Sequence, residues 1–435
     1  MTSKSTLVFG LGRSGLAVLR HLTRLKWPFE WTDDQPTGRD RQAARVLGAL
    51  ECTRLEPARF AQVVAAPGVP IDHPFLTACK SAGIQVWGEA ELCYRTVPTP
   101  LVGVTGTAGK TSTTALTAHL LAGQGLQALP GGNIGTPLLD VAPGIDVAVA
   151  ELSSFQLERV DTFRPVVSVI TNMGVDHLNR HGTVAVYHAA KLNLLRRQRA
   201  GDCAVLPVGF QGPVPDGVQI YRVVPGGLEA GWLLDLDGMP VIPGEVIPGH
   251  QHPENAAAAV LATLAFLLAI KKRPDIAALH ASLGDFAGVD GRFQTVATVN
   301  GAAFVDDSIA TRTISVEAAL RSARAPVAWI VGGLDKGADL APLRAAALGK
   351  VARVIAVGRD GPSLAARLAV AETTVIDEPD GWTAMRAACR VGLDAAPGGT
   401  VLLAPIGTSF DQFRDYRERG DAFAAAAREL AGDKA

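Results

Sequence analysis

Apolar and polar positions along the 435 residues fall into three blocks, in each of which short β-branched runs alternate with stretches of helical period. Such alternation predicts an α/β fold built on largely parallel sheets. In the first block the apolar run Leu7 to Phe9 meets the turn Gly10-Leu11-Gly12-Arg13-Ser14-Gly15, then a helical stretch, then the run Phe29 to Thr32 ending at Asp33 and Asp34. The second block has runs at Leu101 to Val104, Asp146 to Ala150 and Val166 to Ile170, and the third at Ala302 to Val305, Val327 to Val331 and Thr400 to Ala404. Two segments break the pattern and read as hinges: Tyr94 to Pro100, with two prolines, and Gly288 to Arg292. The proline- and glycine-dotted stretch from Gly201 to Gly249 reads as a small appended sheet. The run Ala256 to Ile270, polar only at Thr263, reads as a buried core helix, because spanning a bilayer takes about 20 residues.

Composition narrows the class. The length suits about three domains, which the hinges place at 1–96, 97–288 and 289–435. A net charge of −1 argues against nucleic-acid binding and against an anionic membrane surface, so any phosphate recognition must be local. The five cysteines, Cys52, Cys79, Cys93, Cys203 and Cys389, have no CxxC spacing, which suggests neither a disulfide framework nor a zinc site. With no secretion signal visible at the start, a cytoplasmic protein without membrane insertion is expected.

The chemistry gathers where strands end. Val104-Thr105-Gly106-Thr107-Ala108-Gly109-Lys110-Thr111-Ser112 reads as a phosphate cradle between a strand and a helix. Small residues let backbone N–H groups face phosphate oxygens, Lys110 can reach the terminal phosphates, and the Thr111 hydroxyl can take Mg²⁺. Val104 stands where the general loop pattern has a further glycine. Glu151, past the next apolar strand, can hold the Mg²⁺ that offsets phosphate charge, or simply sit in a helix's first turn. Asp176 and His177 close the following strand. The GLGRSG turn with Asp33 fits a nicotinamide dinucleotide, another diphosphate, or a turn that only shapes the sheet. Lys191, flanked by alanines and leucines, reads from its pattern as a snorkelling lysine. In the third block, polar groups at Asp306 to Arg312, Gly332 to Gly337 and Pro405 to Phe413 suggest a second-substrate surface.

Taken together, GLGRSG, TGTAGKT, GGNIG, ELSSFQLE, NMGVDHLNRH, YHAAKLNLL, DDSIAT, GGLDKGAD and SFDQFRDYRERG resemble the ATP-dependent Mur ligases of peptidoglycan synthesis over essentially the whole chain. Within that family the resemblance is to the branch that adds D-glutamate to UDP-N-acetylmuramoyl-L-alanine. It implies a Rossmann-like first domain for the UDP end of the sugar nucleotide, a P-loop ATPase-like centre and a Rossmann-like third domain. It also implies that Gly106, Thr107, Gly109, Lys110, Thr111, Ser112, Asn255, Arg292 and Asp307 hold ATP. Gly12, Arg13, Ser14, Asp33, Gly68, Asn133 and His177 would hold the UDP substrate, and Thr311, Lys336, Ser409 and Tyr416 the D-glutamate. The catalytic set would be Lys110, Glu151, His177 and Lys191. Two Mg²⁺ ions would lie on Thr111, Glu151, His177 and Lys191, with Lys191 carbamylated, in place of the snorkelling reading.

By the same resemblance the reaction passes through an acyl phosphate, the third domain closes over it, and the enzyme acts as a monomer. Three departures stand out: Ile309 where a lysine is common, Arg312 where asparagine is frequent, and the altered segments Gly249 to Asn255 and Gly291 to Gln294. Arg312 is the candidate to supply the missing charge. The rival readings are a sister Mur or folylpolyglutamate-type ligase, and a nucleotide-binding regulator without ligase activity.

Overall fold

Three sheets carry the chain in a computed structural model, which describes residues 4–224 and 252–432. Packing divides it into two units, Met1–Leu228 with Ala257–Leu283, and Glu229–Ala256 with Gly284–Ala435. The first unit holds two sheets and the second holds one.

The first sheet contains β1 (Ser5–Phe9), β2 (Phe29–Thr32), β3 (Leu50–Glu51), β4 (Phe60–Ala65) and β5 (Gln85–Trp87), all parallel, in the order β3-β2-β1-β4-β5. Strand order reverses between β1 and β4, and open parallel sheets form a ligand crevice at such a point. The turn after β1 must be glycine-rich for steric reasons: a Cβ on Gly15 would stand 1.8 Å from the Gly10 carbonyl oxygen.

The second sheet contains β6 (Leu101–Thr105), β7 (Ala128–Gly132), β8 (Val147–Glu151), β9 (Val167–Ile170), β10 (Cys203–Pro207) and β11 (Gln219–Val223), in the order β11-β10-β9-β6-β8-β7. It too is wholly parallel, and its central strands β6, β8 and β9 are buried on both faces because both are covered. The expectation of a separate small sheet from Gly201 is corrected here: Cys203 pairs with Val167 and with Gln219, so these strands extend the central sheet. The rest of that stretch, 225–249, lies outside the described residues. Helix Pro253–Ala269 matches the expected core helix, with Ala256 to Leu267 essentially buried.

One apolar cluster runs through both sheets, joining Val8, Leu19 and Trp31 to Leu101, Ala148, Leu152 and Phe163. The expected hinge from Tyr94 is shorter than its sequence suggested, because helix Glu89–Thr96 includes Tyr94 and only 97–100 lack regular structure. Glu91, fully buried, accepts from the backbone N–H groups of Asp161, Thr162 and Phe163.

The third sheet contains β12 (Gln294–Val299), β13 (Ala302–Asp306), β14 (Val327–Gly332), β15 (Val351–Val357), β16 (Glu372–Val375) and β17 (Thr400–Ile406), in the order β12-β13-β17-β14-β15-β16. β12 is antiparallel to β13 and the other neighbours are parallel. Apolar clusters cover both faces of this sheet. Among the described residues no helix is long and apolar enough to cross a membrane.

Candidate active site

Sheet order alone assembles the phosphate region. β6 lies between β8 and β9, so the loop after β6, Glu151 at the end of β8 and the segment after β9 meet at one edge. The loop opens on Gly106, whose φ is +146°, and a Cβ there would lie 1.9 Å from Thr171 Oγ1. It ends on Gly109 at φ +80°, which turns the chain into helix Lys110–Gly123. The first turn of that helix carries no acidic residue, leaving its positive end available to an anion.

Hydrogen bonds tie the predicted residues together. Thr111 Oγ1 donates to Glu151 Oε2 (2.7 Å), and Asn133 Nδ2 donates to Glu151 Oε1 (2.6 Å). Lys110 Nζ donates to the carbonyls of Gly106 (2.9 Å) and Thr107 (3.1 Å). Lys191, only 1 % exposed, donates to the same Gly106 carbonyl at 2.7 Å and sits 4.7 Å from the centre of the Tyr187 ring. The snorkelling reading is therefore wrong, because its ammonium is at the phosphate loop and not at the solvent.

Sequence reasoning missed the support beneath this loop. Asn172 Oδ1 accepts from the backbone N–H groups of Thr107 (3.1 Å) and Ala108 (2.9 Å), and its Nδ2 returns to the Ala108 carbonyl (3.1 Å). Tyr187 OH lies 3.1 Å from Thr107 Oγ1. The Asn172 bonds are made to backbone groups, which leave no mark in a motif.

His177 occupies the left-handed region (φ +52°) as the residue before the one-turn helix Leu178–His181. Its ring lies 4.7 Å from that of Phe155 and 6.3 Å from that of Tyr187, and its Nε2 is 3.3 Å from Asp176 Oδ2. Next to it His181 is buried, with Nε2 3.0 Å from Ser154 Oγ, and burial lowers its pKa below the ordinary imidazole value.

Gly12, Arg13, Ser14, Asp33 and Gly68 line one cleft of about 480 Å³ at the switch point of the first sheet. Asp33 Oδ2 accepts from the Leu11 N–H at 2.6 Å, so its carboxylate braces the glycine turn. Arg13 reaches the Gly135 carbonyl (3.1 Å), beside the segment that carries Asn133. Close to Ser14, the buried carboxyl of Glu89 accepts from the Leu139 N–H (3.0 Å); burial pushes its pKa up to about 7.

In the second unit the order β13-β17-β14 sets three predicted loops side by side, carrying Thr311, Ser409 and Lys336 respectively. Ser409 is buried and Lys336 exposed. Arg419, also buried, ties two of these loops by donating to the carbonyls of Ser308 (2.8 Å) and Gly407 (3.1 Å). Ile406 holds φ +66°, an outlier for a β-branched residue, with its N–H on the Ala310 carbonyl (3.1 Å). Asp307 accepts from the Phe293 N–H (3.2 Å); burial, then the neighbouring Asp306, pushes its pKa up to about 7 against the pull of Arg292. Tyr416 begins helix Tyr416–Ala431, with its ring beside Gly291. Asn255 is buried in helix Pro253–Ala269, whereas Gly249 to Gln251 lie outside the described residues.

Comparison with known proteins gives three family matches in chain order. Residues 4–88 match the Mur ligase MurD-like N-terminal domain, 104–211 the Mur ligase middle domain, and 291–407 the Mur ligase glutamate ligase domain. The UDP-N-acetylmuramoylalanine--D-glutamate ligase of Thermus thermophilus is 48% identical over 432 residues, covering 98% of each chain. Its namesake from Deinococcus radiodurans is 49% identical over 431 residues, covering 98% of this chain and 92% of the relative. Among solved structures, UDP-N-acetylmuramate-alanine ligase MurC of Thermotoga maritima matches over 98% of this chain and 99% of its own, with a TM-score of 0.54 at 18% identity. MurF ligase from the same organism, in complex with ADP, gives 0.55 at 17% identity over 88% of this chain and 98% of its own.

Proposed function

The chain belongs to the Mur ligase family, and from that premise we propose that it joins D-glutamate to UDP-N-acetylmuramoyl-L-alanine at the expense of ATP, in the synthesis of peptidoglycan. Cell-wall formation, and with it cell shape and division, depends on that product. The observation that carries the phosphoryl-transfer half is the pairing of Thr111 with Glu151 at the foot of a loop gripped by two lysines.

The alanyl carboxylate attacks the γ-phosphorus of ATP, the bond to the β,γ-bridging oxygen breaks, and ADP leaves an acyl phosphate behind. Two anions must approach for this step, so concentrated positive charge is its main requirement. Lys110 supplies it by exchanging the Gly106 and Thr107 carbonyls for phosphate oxygens, and the loop N–H groups held by Asn172 add fixed dipoles. The D-glutamate amine then attacks the acyl carbon, loses a proton, and the tetrahedral adduct expels inorganic phosphate to leave the amide. We assign D-glutamate to Thr311, Lys336, Ser409 and Tyr416, because an ammonium and hydroxyls suit its two carboxylates. ATP is further assigned to Asn255, Arg292 and Asp307, and the sugar nucleotide to the first-sheet cleft with Asn133 and His177.

Mg²⁺ suits the donors present. Among the described residues no three His, Cys, Asp or Glu side chains converge, and Mg²⁺ accepts a hydroxyl or one or two carboxylates completed by phosphate oxygens and water. Thr111 and Glu151 would hold a first ion and His177 with Lys191 a second, each offsetting phosphate charge when bound. For that role Lys191 would be carbamylated by CO₂, which turns a buried cation into an anionic oxygen donor. The domains 1–96, 97–288 and 289–435 would then serve the sugar nucleotide, ATP and D-glutamate in turn, in a cytoplasmic monomer.

Phosphate release tests the reading. It should require ATP, UDP-N-acetylmuramoyl-L-alanine and D-glutamate together; release with ATP alone would instead mark a nucleotide-hydrolysing regulator. A panel of D- and L-amino acids separates the sister ligases.

A further inference from the structure

The turn Ala66–Val69 borders the first-sheet cleft and is closed by the Val69 N–H on the Ala66 carbonyl (3.1 Å). Behind it two guanidinium groups converge on one oxygen. Arg180 Nη2 donates to the Val69 carbonyl at 3.1 Å, and Arg159 Nη2 donates to the same carbonyl and to that of Pro70 (3.2 Å). Arg180 does more than hold the turn. The same nitrogen donates to Glu158 Oε2 at 2.8 Å, and the guanidinium lies 4.3 Å from the centre of the Phe155 ring, whose neighbour at 4.7 Å is His177. Glu158 closes the circuit, because its other oxygen lies 3.2 Å from His181 Nδ1 in the same one-turn helix as Arg180.

Arg180 thus joins three pieces that the chain delivers separately: the turn after β4, the helix that follows Glu151, and the turn that begins at His177. Its side chain is only 16% exposed and that of Glu158 10%, so these bonds are largely shielded from water. A shift of the Val69 carbonyl on ligand binding would therefore be felt, through close packing, at the helical turn whose first residue follows His177. We propose that Arg180 is a positioning residue that couples occupancy of the sugar-nucleotide cleft to the placement of His177 for a divalent ion. The idea rests on the assignment of that cleft to the sugar nucleotide and of His177 to a metal.

The experiment is titration calorimetry of UDP-N-acetylmuramoyl-L-alanine with and without Mn²⁺, alongside Mn²⁺ binding followed by electron paramagnetic resonance with and without the sugar nucleotide. In the unaltered enzyme each ligand should tighten the other by the same factor, at least about fivefold, because linkage is reciprocal. Arg180→Met should bring that factor close to one, raise KM for the sugar nucleotide about tenfold and leave KM for D-glutamate unchanged. Arg180→Lys keeps the charge beside Glu158 but loses the planar fork, and should recover only part of the coupling; it also serves if the methionine variant does not fold. Wild-type coupling surviving in both variants, or no coupling in the unaltered enzyme, overturns the proposal while leaving the ligase assignment intact. If the unaltered enzyme does not bind the sugar nucleotide at all, both fall.

Discussion

Thr111 and Glu151, separated by 40 positions, share a 2.7 Å hydrogen bond beneath the phosphate loop. Glu151 uses its two oxygens for two donors, Thr111 and Asn133. In Glu151→Gln only one oxygen remains, so one donor would face an amide N–H₂. We expect the variant to fold, to need markedly more Mg²⁺ for half-maximal rate, and to lose about a hundredfold in phosphate release, a loss of the size seen when metal surroundings are altered. A magnesium titration of the rate checks it; an unchanged midpoint would remove Glu151 from the metal.

Lys191→Ala should abolish most ligase activity, by about a hundredfold or more on the same reasoning. Formate or acetate should restore part of it by supplying the carboxylate that a carbamate would provide. Unaltered activity at ambient CO₂, with no response to either acid, would falsify the carbamate role.

Much of this site could be read from the sequence because parallel sheets put loop chemistry at strand ends, where an apolar run stopping at Glu151 or Asp307 is visible. Lys191 could not be placed that way. Its partner, the Gly106 carbonyl, is 85 positions away, and a lysine among alanines looks the same whether it faces water or a buried loop. Arg159 and Arg180 escaped for a related reason, since both reach the Val69 carbonyl and no motif marks a carbonyl. β12 was missed because Gln294–Val299 is a half-covered antiparallel edge whose alternation is weak. Residues 203–223 misled through their prolines and glycines, although strand pairing extends the central sheet through them.

Asn172→Ala removes the acceptor of two loop N–H groups and one return bond. Losing such part-buried bonds costs roughly 1–3 kcal/mol, so ATP affinity should fall by about ten- to a hundredfold while sugar-nucleotide affinity stays near normal. Fluorescent-nucleotide titration against calorimetry of the sugar nucleotide separates the two.

Glu89 makes stability depend on pH in an unusual direction. Its folded pKa is raised by burial from 4.5 to about 7, so between those values the folded chain binds more protons than the unfolded one. Its contribution is therefore complete below pH 4.5 and is lost as pH rises through about 7. Glu89→Gln should match the unaltered protein at low pH and be more stable at about pH 8, by on the order of 3 kcal/mol. Melting curves of both proteins at several pH values test the divergence; curves that stay parallel would count against a raised pKa.

Lys336→Ala should raise KM for D-glutamate at least about tenfold, the loss expected for one charge-assisted hydrogen bond, with KM for ATP unchanged. Steady-state kinetics with each substrate varied in turn would show whether the effect is confined to the amino acid.

The order β13-β17-β14 has an evolutionary corollary. Thr311, Ser409 and Lys336 each follow a buried strand without belonging to it, and the strands themselves carry the packing. On the proposed assignment of D-glutamate, amino-acid choice could drift by exchange of these three short loops together with Tyr416, while the sheet beneath them is inherited intact.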